Sequence, residues 1–230
     1  MALKEDLNSE VKKILGEQWK TTNGTVVPES EDLVLGNEAK VIEGTVLYAD
    51  LSGSTRIVDG YKRHFAAEVY KTYLHCAAKL IREESGTITA YDGDRIMGVF
   101  IGNFKNTSAV KCGLKINWVV QNIINPAIKA QYPGSSFELR QIVGIDTSEM
   151  WVAKTGVRGA NDLVWVGRAA NYAAKLNELD ANYPTWITGS VYNKMHETVK
   201  VTNGQAMWEA MTWTAMGNIP IFRSTWRWSI

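Results

Sequence analysis

Two aspartates, Asp50 and Asp94, are of the type and in the setting that could hold divalent cations. Asp50 ends an apolar run that begins at Val41, and Asp94 lies in an Asp-Gly-Asp turn. Hard cations such as Mg²⁺ and Mn²⁺ prefer oxygen ligands, and proteins commonly hold them with one or two carboxylates together with substrate phosphates. Two such cations can activate an attacking hydroxyl and steady a leaving pyrophosphate. The residues therefore favour metal-assisted phosphoryl chemistry that uses Mn²⁺ or Mg²⁺.

Small and hydroxyl-bearing residues follow the first aspartate. Gly53, Ser54 and Thr55 lead into a predicted helix, where small side chains let backbone N–H groups approach a triphosphate. Each of these pieces also has an ordinary structural interpretation, because Asp before Ser-Gly is common turn chemistry and Asp-Gly-Asp is a common hairpin. Their weight as a site depends on the elements that position them.

Strands and helices alternate around these residues in a simple order. Apolar residues at three- and four-residue steps indicate helices, and short apolar runs bounded by turn residues indicate strands. In chain order the predicted elements are an amphipathic helix over 4–19, a loop or linker over 21–40, a strand over 41–50, a helix over 61–84, a hairpin of strands 87–91 and 96–101, a helix over 107–130 that ends or kinks at Pro126, strands 139–146 and 150–154 around a short turn, a strand over 163–166 and a helix over 168–179.

This order predicts an α/β (α+β) sandwich of the ferredoxin-like type, with a central, mostly antiparallel sheet and flanking helices. In that topology the strand that ends at Asp50 lies beside the hairpin that carries Asp94, so the two carboxylates come together. We predict an N-terminal helix and linker over residues 1–40 and a catalytic domain over 41–180. An aromatic-rich C-terminal extension over 181–230 is expected to pack on the domain or on a partner subunit.

Composition excludes several classes of partner. The 230 residues carry 25 basic and 24 acidic side chains, so there is no broad positive field to hold a nucleic acid polymer. No apolar run approaches the roughly 20 residues that a membrane span requires, and the N-terminus lacks the apolar stretch of a secretory signal. The two cysteines, Cys76 and Cys112, fit reduced core residues. We expect a soluble, cytoplasmic protein with no membrane partner.

Three strings, in one order, resemble motifs of the class III nucleotidyl cyclases, the family of adenylate and guanylate cyclases. TVLYADLSGST, residues 45–55, resembles the first metal motif of the family, and ITAYDGDRIMGVF, residues 88–100, resembles the second. VGRAANYAAKL, residues 166–176, is similar to the helix that carries the catalytic asparagine of the family. The resemblance therefore implies the class III cyclase form of the predicted sandwich.

The resemblance also implies roles for individual residues. Asp50 and Asp94 would bind two divalent cations, with the backbone carbonyl of Leu51 assisting. Asn171 would orient the ribose so that its 3′-hydroxyl attacks the α-phosphate. Lys175 stands where the family has an arginine that stabilises phosphate charge, and lysine offers a point charge in place of a planar fork. In this family the metal aspartates and the asparagine approach one site from opposite subunits, which implies a homodimer with two composite sites.

The base-reading positions differ from those of purine cyclases. Ala90 and Val164 occupy the positions where adenylate cyclases have a lysine and an aspartate, and guanylate cyclases also have polar readers there. Tyr48 lies two residues before the first metal aspartate, and Arg95 directly follows the second. A phenol and a guanidinium at these places could shrink and re-polarise the pocket for a pyrimidine. The combination resembles the bacterial antiphage pyrimidine cyclases of the Pycsar type, which make cyclic UMP or cyclic CMP as an infection signal.

The function that this resemblance implies is conversion of UTP to 3′,5′-cyclic UMP and pyrophosphate, with a downstream effector that need not contact the enzyme. Cyclic CMP synthesis is an alternative, and so is a divergent adenylate or guanylate cyclase with base readers elsewhere. A catalytically silent nucleotide-binding module is a third, because Lys175 replaces the usual arginine. Tyr48 and Arg95 also have plain interpretations as a core aromatic residue and a solvated turn charge.

Overall fold

A nine-stranded sheet forms the centre of the fold. The computed structural model describes residues 2–230. In chain order the strands are β1 (Lys20–Asn23), β2 (Glu38–Leu51), β3 (Thr87–Asp92), β4 (Arg95–Phe100), β5 (Gln141–Val157), β6 (Ala160–Gly167), β7 (Thr185–Thr188), β8 (Val201–Thr202), β9 (Gln205–Ala206), β10 (Glu209–Trp213) and β11 (Ile219–Ser224), of which β8 and β9 form a separate hairpin.

Helices flank the sheet on both faces. They are α1 (Leu3–Gly16), α2 (Ser54–Gly60), α3 (Arg63–Glu83), α4 (Lys105–Val119), α5 (Asn125–Gln131), α6 (Arg168–Leu176) and α7 (Gly189–Lys194). A π-helical segment, Val120–Ile124, joins α4 to α5 directly before Pro126. Proline has no N–H for the helical ladder, and the regular α-helix is interrupted by this π-helical segment just before Pro126. Across residues 2–230, every helix is too short or too polar to cross a bilayer.

The strand order places β2 next to the hairpin of β3 and β4. The order is β10-β11-β7-β5-β2-β4-β3, with β1 added beside β2 and β6 beside β5. Neighbouring strands of this sheet run antiparallel except for the pairs β1–β2 and β5–β7. The predicted sandwich with a mostly antiparallel central sheet is therefore confirmed.

Alternation along β2 sorts its side chains between two cores. Leu47, Ala49 and Leu51 pack with helices α3 and α4 on one face of the sheet. Val46 packs on the opposite face, against α6, and the ring of Tyr48 lies against the same cluster. Because successive strand residues point to opposite faces, the side chain of Asp50 shares the α6 face with Val46 and Tyr48. That face carries the predicted site.

Helix α6 lies directly on β5 at Gly144. A Cβ atom at Gly144 would lie 2.1 Å from the carbonyl oxygen of Ala173, a separation that no real side chain tolerates. The alanines of α6 complete this contact, since Ala169 and Ala173 are fully buried against the sheet. The small residues of the third motif therefore serve close helix–sheet packing, and they set the position of α6 over the sheet.

The prediction of two strands at 139–146 and 150–154 was wrong. These residues belong to one strand, β5, which runs for 17 residues and forms its hairpin with β6. The run Asp146-Thr147-Ser148 has the composition of a turn, but its buried polar atoms find partners inside the fold. The Thr147 hydroxyl donates to the Gly44 carbonyl at 3.2 Å and also bonds to Thr45. Because their side chains form hydrogen bonds inside the fold, these polar residues can lie within a central strand.

The segments on either side of the predicted catalytic domain join its sheet. Residues 21–40, predicted as a loop or linker, contain most of strand β1, and β2 already begins at Glu38. Residues 181–230, for which the sequence indicated only packing, contribute strands β7, β10 and β11 to the same sheet. The division at residues 40 and 180 stays a prediction, although the sheet continues across both positions.

Candidate active site

Asp50 and Asp94 lie at one end of the β2–β4 pair. In the register of these antiparallel strands Asp50 is opposite Arg95, the first residue of β4. Asp94 immediately precedes Arg95 in the turn of the β3–β4 hairpin, where Gly93 takes up a positive φ of 62°. Strand pairing therefore brings together two carboxylates that are 44 positions apart in the chain.

The carboxyl group of Asp50 has an unsatisfied oxygen. Its Oδ1 atom is buried and has no hydrogen-bond partner. Burial, and after it the charge of Asp94, raise the pKa of Asp50 to about 6, while Arg95 and the Leu51 N–H act in the opposite direction. A buried oxygen without a partner is costly unless a ligand completes it. The two neighbouring carboxylates thus fit a divalent cation.

The donor set suits a hard cation whose coordination is shared with substrate. Among residues 2–230 there is no group of three or more His, Cys, Asp or Glu side chains that would enclose a metal. Two carboxylates leave most of the coordination shell to water and phosphate oxygens, which is the usual arrangement for Mg²⁺ and Mn²⁺ at a nucleotide. The side chain of Leu51 is buried in the opposite core, so only its backbone could assist.

Backbone contacts hold the residues that follow Asp50. The buried Tyr73 hydroxyl of α3 donates to the Asp50 carbonyl at 3.4 Å, and the Ser52 N–H donates to the Arg140 carbonyl at 3.0 Å. Gly53 has a φ of 76°, a left-handed conformation that favours glycine, and it caps helix α2. The Tyr70 hydroxyl donates to the Ser54 carbonyl at 3.3 Å. These contacts fix the turn, and the predicted phosphate contact of residues 53–55 stays a prediction.

Arg95 and Tyr48 are neighbours on the α6 face of the sheet. The guanidinium carbon of Arg95 lies 6.0 Å from the centre of the Tyr48 ring. Two guanidinium nitrogens donate to one carboxylate oxygen of Asp92, at 3.2 and 2.6 Å. Sequence reasoning missed Asp92, although the Asp-Gly-Asp string contains it. The pair Tyr48 and Arg95 therefore stands beside Asp50 as predicted, with Asp92 orienting the guanidinium.

The positions of purine readers offer no polar side chain. Ala90 packs beside the Val46 cluster on the α6 face. Val164 lies on β6 and is 39% exposed. At the two positions where the resemblance predicts base readers, the chain therefore has only aliphatic side chains.

Asn171 and Lys175 lie on the outer face of α6. Both are exposed, whereas Ala170, Ala173 and Leu176 of the same helix are buried against the sheet. The two exposed residues are one helical turn apart and so share a face. The Lys175 ammonium lies 3.8 Å from the sulfur of Met216. Within residues 2–230 neither side chain forms a hydrogen bond to Asp50 or Asp94.

Curated relatives resemble the chain over its whole length. No family model matches it. It is 53% identical over 231 residues to a uridylate cyclase of Xanthomonas perforans, covering 100% of both chains. The chain belongs to the uridylate cyclases. A uridylate cyclase of Burkholderia cepacia is 52% identical, again over 100% of both chains, and one of a Rhodovulum species is 36% identical over 99% of this chain and 98% of the other. The predicted nucleotidyl cyclase family is therefore confirmed.

Solved structures share the fold at lower sequence identity. The adenylyl cyclase CyaB from P. aeruginosa superposes with a TM-score of 0.70 and 20% identity, covering 82% of this chain and 96% of that one. The guanylyl cyclase Cya2 superposes with a TM-score of 0.69 and 20% identity, covering 83% of this chain and 95% of that one. The sheet and its flanking helices are those of a class III cyclase.

A buried ion pair anchors the start of α6 in this family member. Asp146 of β5 is fully buried and accepts from two guanidinium nitrogens of Arg168 at 3.0 and 3.2 Å, and from the Thr188 hydroxyl at 2.5 Å. Arg168 also donates to the Thr147 carbonyl at 2.8 Å and to Ser190 at 2.9 Å. Burial raises the pKa of Asp146, and its bonds to Thr188 and Arg168 oppose that rise.

Sequence reasoning missed this anchor because Asp146 had the appearance of a turn residue. Arg168 could have revealed the anchor, because this charged residue directly precedes the apolar face of a predicted helix and would need a partner there. By tying the first residue of α6 to the sheet, the ion pair sets where Asn171 stands. Asp146 and Arg168 therefore fix the start of α6, the helix that carries Asn171.

Loss of the anchor should destabilise the protein. We expect Arg168→Met to lower the free energy of unfolding by about 2–3 kcal/mol, because it leaves a buried carboxylate without its cation. The value is below that of a fully buried pair because the Arg168 side chain is 41% exposed. Urea denaturation followed by circular dichroism measures it. Lys194→Met is the matched control, since its pair with Glu43 is 3.7 Å long and exposed, and it should change stability by less than about 0.5 kcal/mol. Equal effects of the two variants would contradict the anchor.

Proposed function

We propose that the protein converts UTP to 3′,5′-cyclic UMP and pyrophosphate. The observation that carries the proposal is the buried, unpartnered Oδ1 of Asp50 beside Asp94 on the α6 face of the sheet. The name of the relatives at 53% and 52% identity supports the choice of substrate. In the reaction the 3′-oxygen forms a bond to the α-phosphorus while the bond from the α-phosphorus to the oxygen shared with the β-phosphate breaks. Pyrophosphate leaves with that oxygen, and the 3′-hydroxyl proton passes to water.

Asp50 and Asp94 would hold two divalent cations, Mn²⁺ or Mg²⁺, at the α-phosphate. Such cations, when bound, lower the pKa of the 3′-hydroxyl and neutralise charge on the pyrophosphate that leaves. The protein's own contribution is to keep both carboxylates in place, Asp50 through the Tyr73 bond and Asp94 through the hairpin turn. The backbone of Gly53, Ser54 and Thr55 would contact the phosphate chain.

Asn171 and Lys175 would act on the substrate held by a partner subunit. Both are exposed on α6, and within residues 2–230 of one chain neither side chain bonds to Asp50. In a symmetric homodimer the asparagine of one subunit would orient the ribose over the carboxylates of the other. Lys175 would then place a positive charge near the developing phosphate charge. Two composite sites follow from one symmetric interface.

Arg95 and Tyr48 would read the base. A guanidinium only donates hydrogen bonds, and uracil presents a carbonyl oxygen at the ring position where cytosine presents an amino donor. Arg95 beside Tyr48 therefore favours uracil. Ala90 and Val164 add no polar partner for the larger purine ring.

A role in antiphage defence follows from the resemblance to the Pycsar cyclases and is part of the proposal. Cyclic UMP would be a second messenger made in the cytoplasm and received by a separate effector. The near balance of 25 basic and 24 acidic residues is consistent with a nucleotide, and not a nucleic acid polymer, as the substrate.

A panel of substrates tests the proposal. The purified protein is incubated with UTP, CTP, ATP and GTP in turn, each with Mn²⁺, and cyclic products are separated by chromatography. We expect cyclic UMP to form at least about tenfold faster than any other product, because a hydrogen-bonding group left without a partner at a base reader costs about 1.4 kcal/mol. Product from CTP alone would assign a cytidylate cyclase, and product from ATP or GTP alone would reject the base assignment. Nucleotide binding without product would favour a silent module.

A further inference from the structure

Three charged side chains form a row across adjacent strands at the predicted site. Asp92 and Arg95 are directly opposite each other at the ends of β3 and β4, and Arg95 is also opposite Asp50 of β2. Residues opposite each other in antiparallel strands point to the same face of the sheet, with Cβ atoms roughly 5 Å apart. The row therefore runs Asp50, Arg95, Asp92 on the α6 face, with alternating charge.

A β-bulge in β3 puts Asp92 on this face. The pairing of β3 with β4 shifts between Ile88 and Ala90. Ile88 packs with the core that contains α3, whereas Ala90, two residues later, packs with the cluster on the α6 face. Without the extra residue, Thr89, alternate residues of β3 would all point to one face. The bulge thus places Ala90 and Asp92 together on the side of the sheet that carries Asp50.

The pair of Asp92 and Arg95 presents an acceptor and a donor side by side. Both hydrogen bonds from Arg95 end on Oδ2 of Asp92, at 3.2 and 2.6 Å. Within residues 2–230, Oδ1 of Asp92 and Nη1 of Arg95 form no hydrogen bond. The Asp92 side chain is 70% exposed and that of Arg95 is 38% exposed, so both can contact a ligand.

Less polar residues form a second row next to this pair. Tyr48 is opposite Met97 in the β2–β4 pair, and Met97 is opposite Ala90 in the β3–β4 pair. All three belong to the cluster on the α6 face or pack against it. Burial raises the pKa of Tyr48, the charge of Arg95 opposes that rise, and the charge of Asp92 adds to it. The two rows together provide an apolar surface with a charged edge.

The free groups of this edge match uracil and mismatch cytosine. Uracil has an N3–H donor beside the C4 carbonyl acceptor, whereas cytosine has an N3 acceptor beside a C4 amino donor. An ionised carboxylate only accepts hydrogen bonds, and a guanidinium only donates them. Asp92 and Arg95 would therefore pair with N3–H and O4 of uracil. With cytosine, the same two contacts would place acceptor against acceptor and donor against donor.

Asp92 is poorly suited to bind a metal ion. Residues 2–230 contain no group of three or more His, Cys, Asp or Glu side chains arranged to hold a metal. The Arg95 guanidinium already occupies Oδ2 of Asp92. A cation at Oδ1 would stand near the positive charge of Arg95, and Coulomb repulsion disfavours that position.

We propose that Asp92 is a specificity-determining residue, whose carboxylate accepts the N3–H of uracil while Arg95 donates to O4. The inference rests on the proposed function, and it deepens that function by naming a second polar reader of the base. Asp92 then does more than orient Arg95, because its own free oxygen contacts the substrate. Uracil is selected over cytosine by two hydrogen bonds in place of one.

Three triphosphates separate a base reader from a residue that only orients Arg95. UTP, CTP and the triphosphate of N3-methyluridine, which keeps both carbonyls but has no N3–H, are compared with Mn²⁺ as the cation. We expect Asp92→Ala to lower kcat/KM for UTP at least about tenfold more than for the N3-methyl substrate, because only UTP loses a hydrogen bond to the carboxylate. The ratio of kcat/KM for UTP to that for CTP should fall by a similar factor.

Two further variants complete the comparison. In Asp92→Asn the amide oxygen can keep the bond to Arg95 while its NH₂ group faces N3, which matches the acceptor of cytosine. The preference for UTP over CTP should therefore fall at least about tenfold although the contact with Arg95 is retained. Glu197→Ala is the matched control, because Glu197 forms an i,i+3 pair with Lys200 at 2.8 Å and its side chain is 74% exposed. It should leave all three rates unchanged.

The outcomes separate this inference from the proposed function. Equal losses for UTP and the N3-methyl substrate in Asp92→Ala would show that Asp92 only orients Arg95 and would overturn the proposal. Weaker Mn²⁺ binding by Asp92→Ala would assign the carboxylate to the metal and overturn it as well. The three triphosphates are also compared by equilibrium binding, which needs no turnover. A wild-type chain that forms no cyclic UMP would therefore contradict the proposed function and leave the test of Asp92 intact.

Discussion

Asp50→Asn should abolish cyclic UMP synthesis without weakening the fold. The amide keeps the shape of the carboxylate but removes the charge that would bind a cation, and several kcal/mol of transition-state stabilisation are lost with it. We expect the turnover rate to fall by at least about 10³-fold. Asp94→Asn should behave in the same way. Mn²⁺ binding, followed by electron paramagnetic resonance, should weaken in both variants.

Stability distinguishes this result from simple unfolding. In the cation-free protein the Asp50 carboxylate is buried without a partner for Oδ1, so its neutralisation removes an unfavourable charge. The midpoint of thermal unfolding without metal should therefore stay the same or rise. Asp59→Asn, on the exposed surface of α2, is the control and should retain full activity. An Asp50→Asn enzyme within about tenfold of the wild-type rate would refute the metal assignment.

Two inactive variants should restore activity when they are mixed. We expect Asn171→Ala to lose about 10²–10³-fold in rate, because it removes a group that orients the ribose in the transition state. In a mixed dimer of Asp50→Asn and Asn171→Ala chains, one composite site has both native residues and the other has neither. Equal mixing makes half of the dimers mixed, so about a quarter of the wild-type activity should return.

The measurement is the rate of cyclic UMP formation after the two variants are mixed and allowed to exchange subunits. Each variant alone, at the same total concentration, provides the baseline. A mixture of Asp50→Asn with Asp94→Asn is the matched control, because both changes fall in the same half of the site and no native site forms. Equal activity of the two mixtures would show that the site lies within one chain and would overturn the composite arrangement.

The sequence could predict which residues form the site because its motifs are local. A strand that ends in Asp50, a hairpin tip at Asp94 and an alanine-rich helix with Asn171 each have short-range patterns. Strand alternation also placed Tyr48 on the face of Asp50, which the packing against the α6 cluster agrees with. These features depend on neighbours within a few residues, so periodicity and turn chemistry suffice to read them.

Pairing between distant segments was decided only in the tertiary structure. From the sequence, Asp146 has the pattern of a turn residue. In the structure it lies inside a continuous strand, where Arg168 and Thr188, 22 and 42 positions later, donate hydrogen bonds to its carboxylate. Strand β1 in the predicted linker and strands β7, β10 and β11 near the C-terminus form only because the sheet offers them an edge. Four-residue strands such as β1 and β7 carry too little periodicity to be recognised alone.

The exposed faces of helices α1 and α6 also had to be read from the tertiary structure. From the sequence, helix α1 is amphipathic, and an amphipathic helix usually covers its own core. In the folded chain none of the α1 residues is buried, and α3, α4 and α6 pack the cores on the two faces of the sheet. Likewise the sequence predicts that Asp50 and Asn171 act on one substrate, but only the packing of α6 shows that Asn171 is on the exposed side of that helix. Sequence pattern determines which residues can do chemistry, whereas long-range packing decides which of them meet.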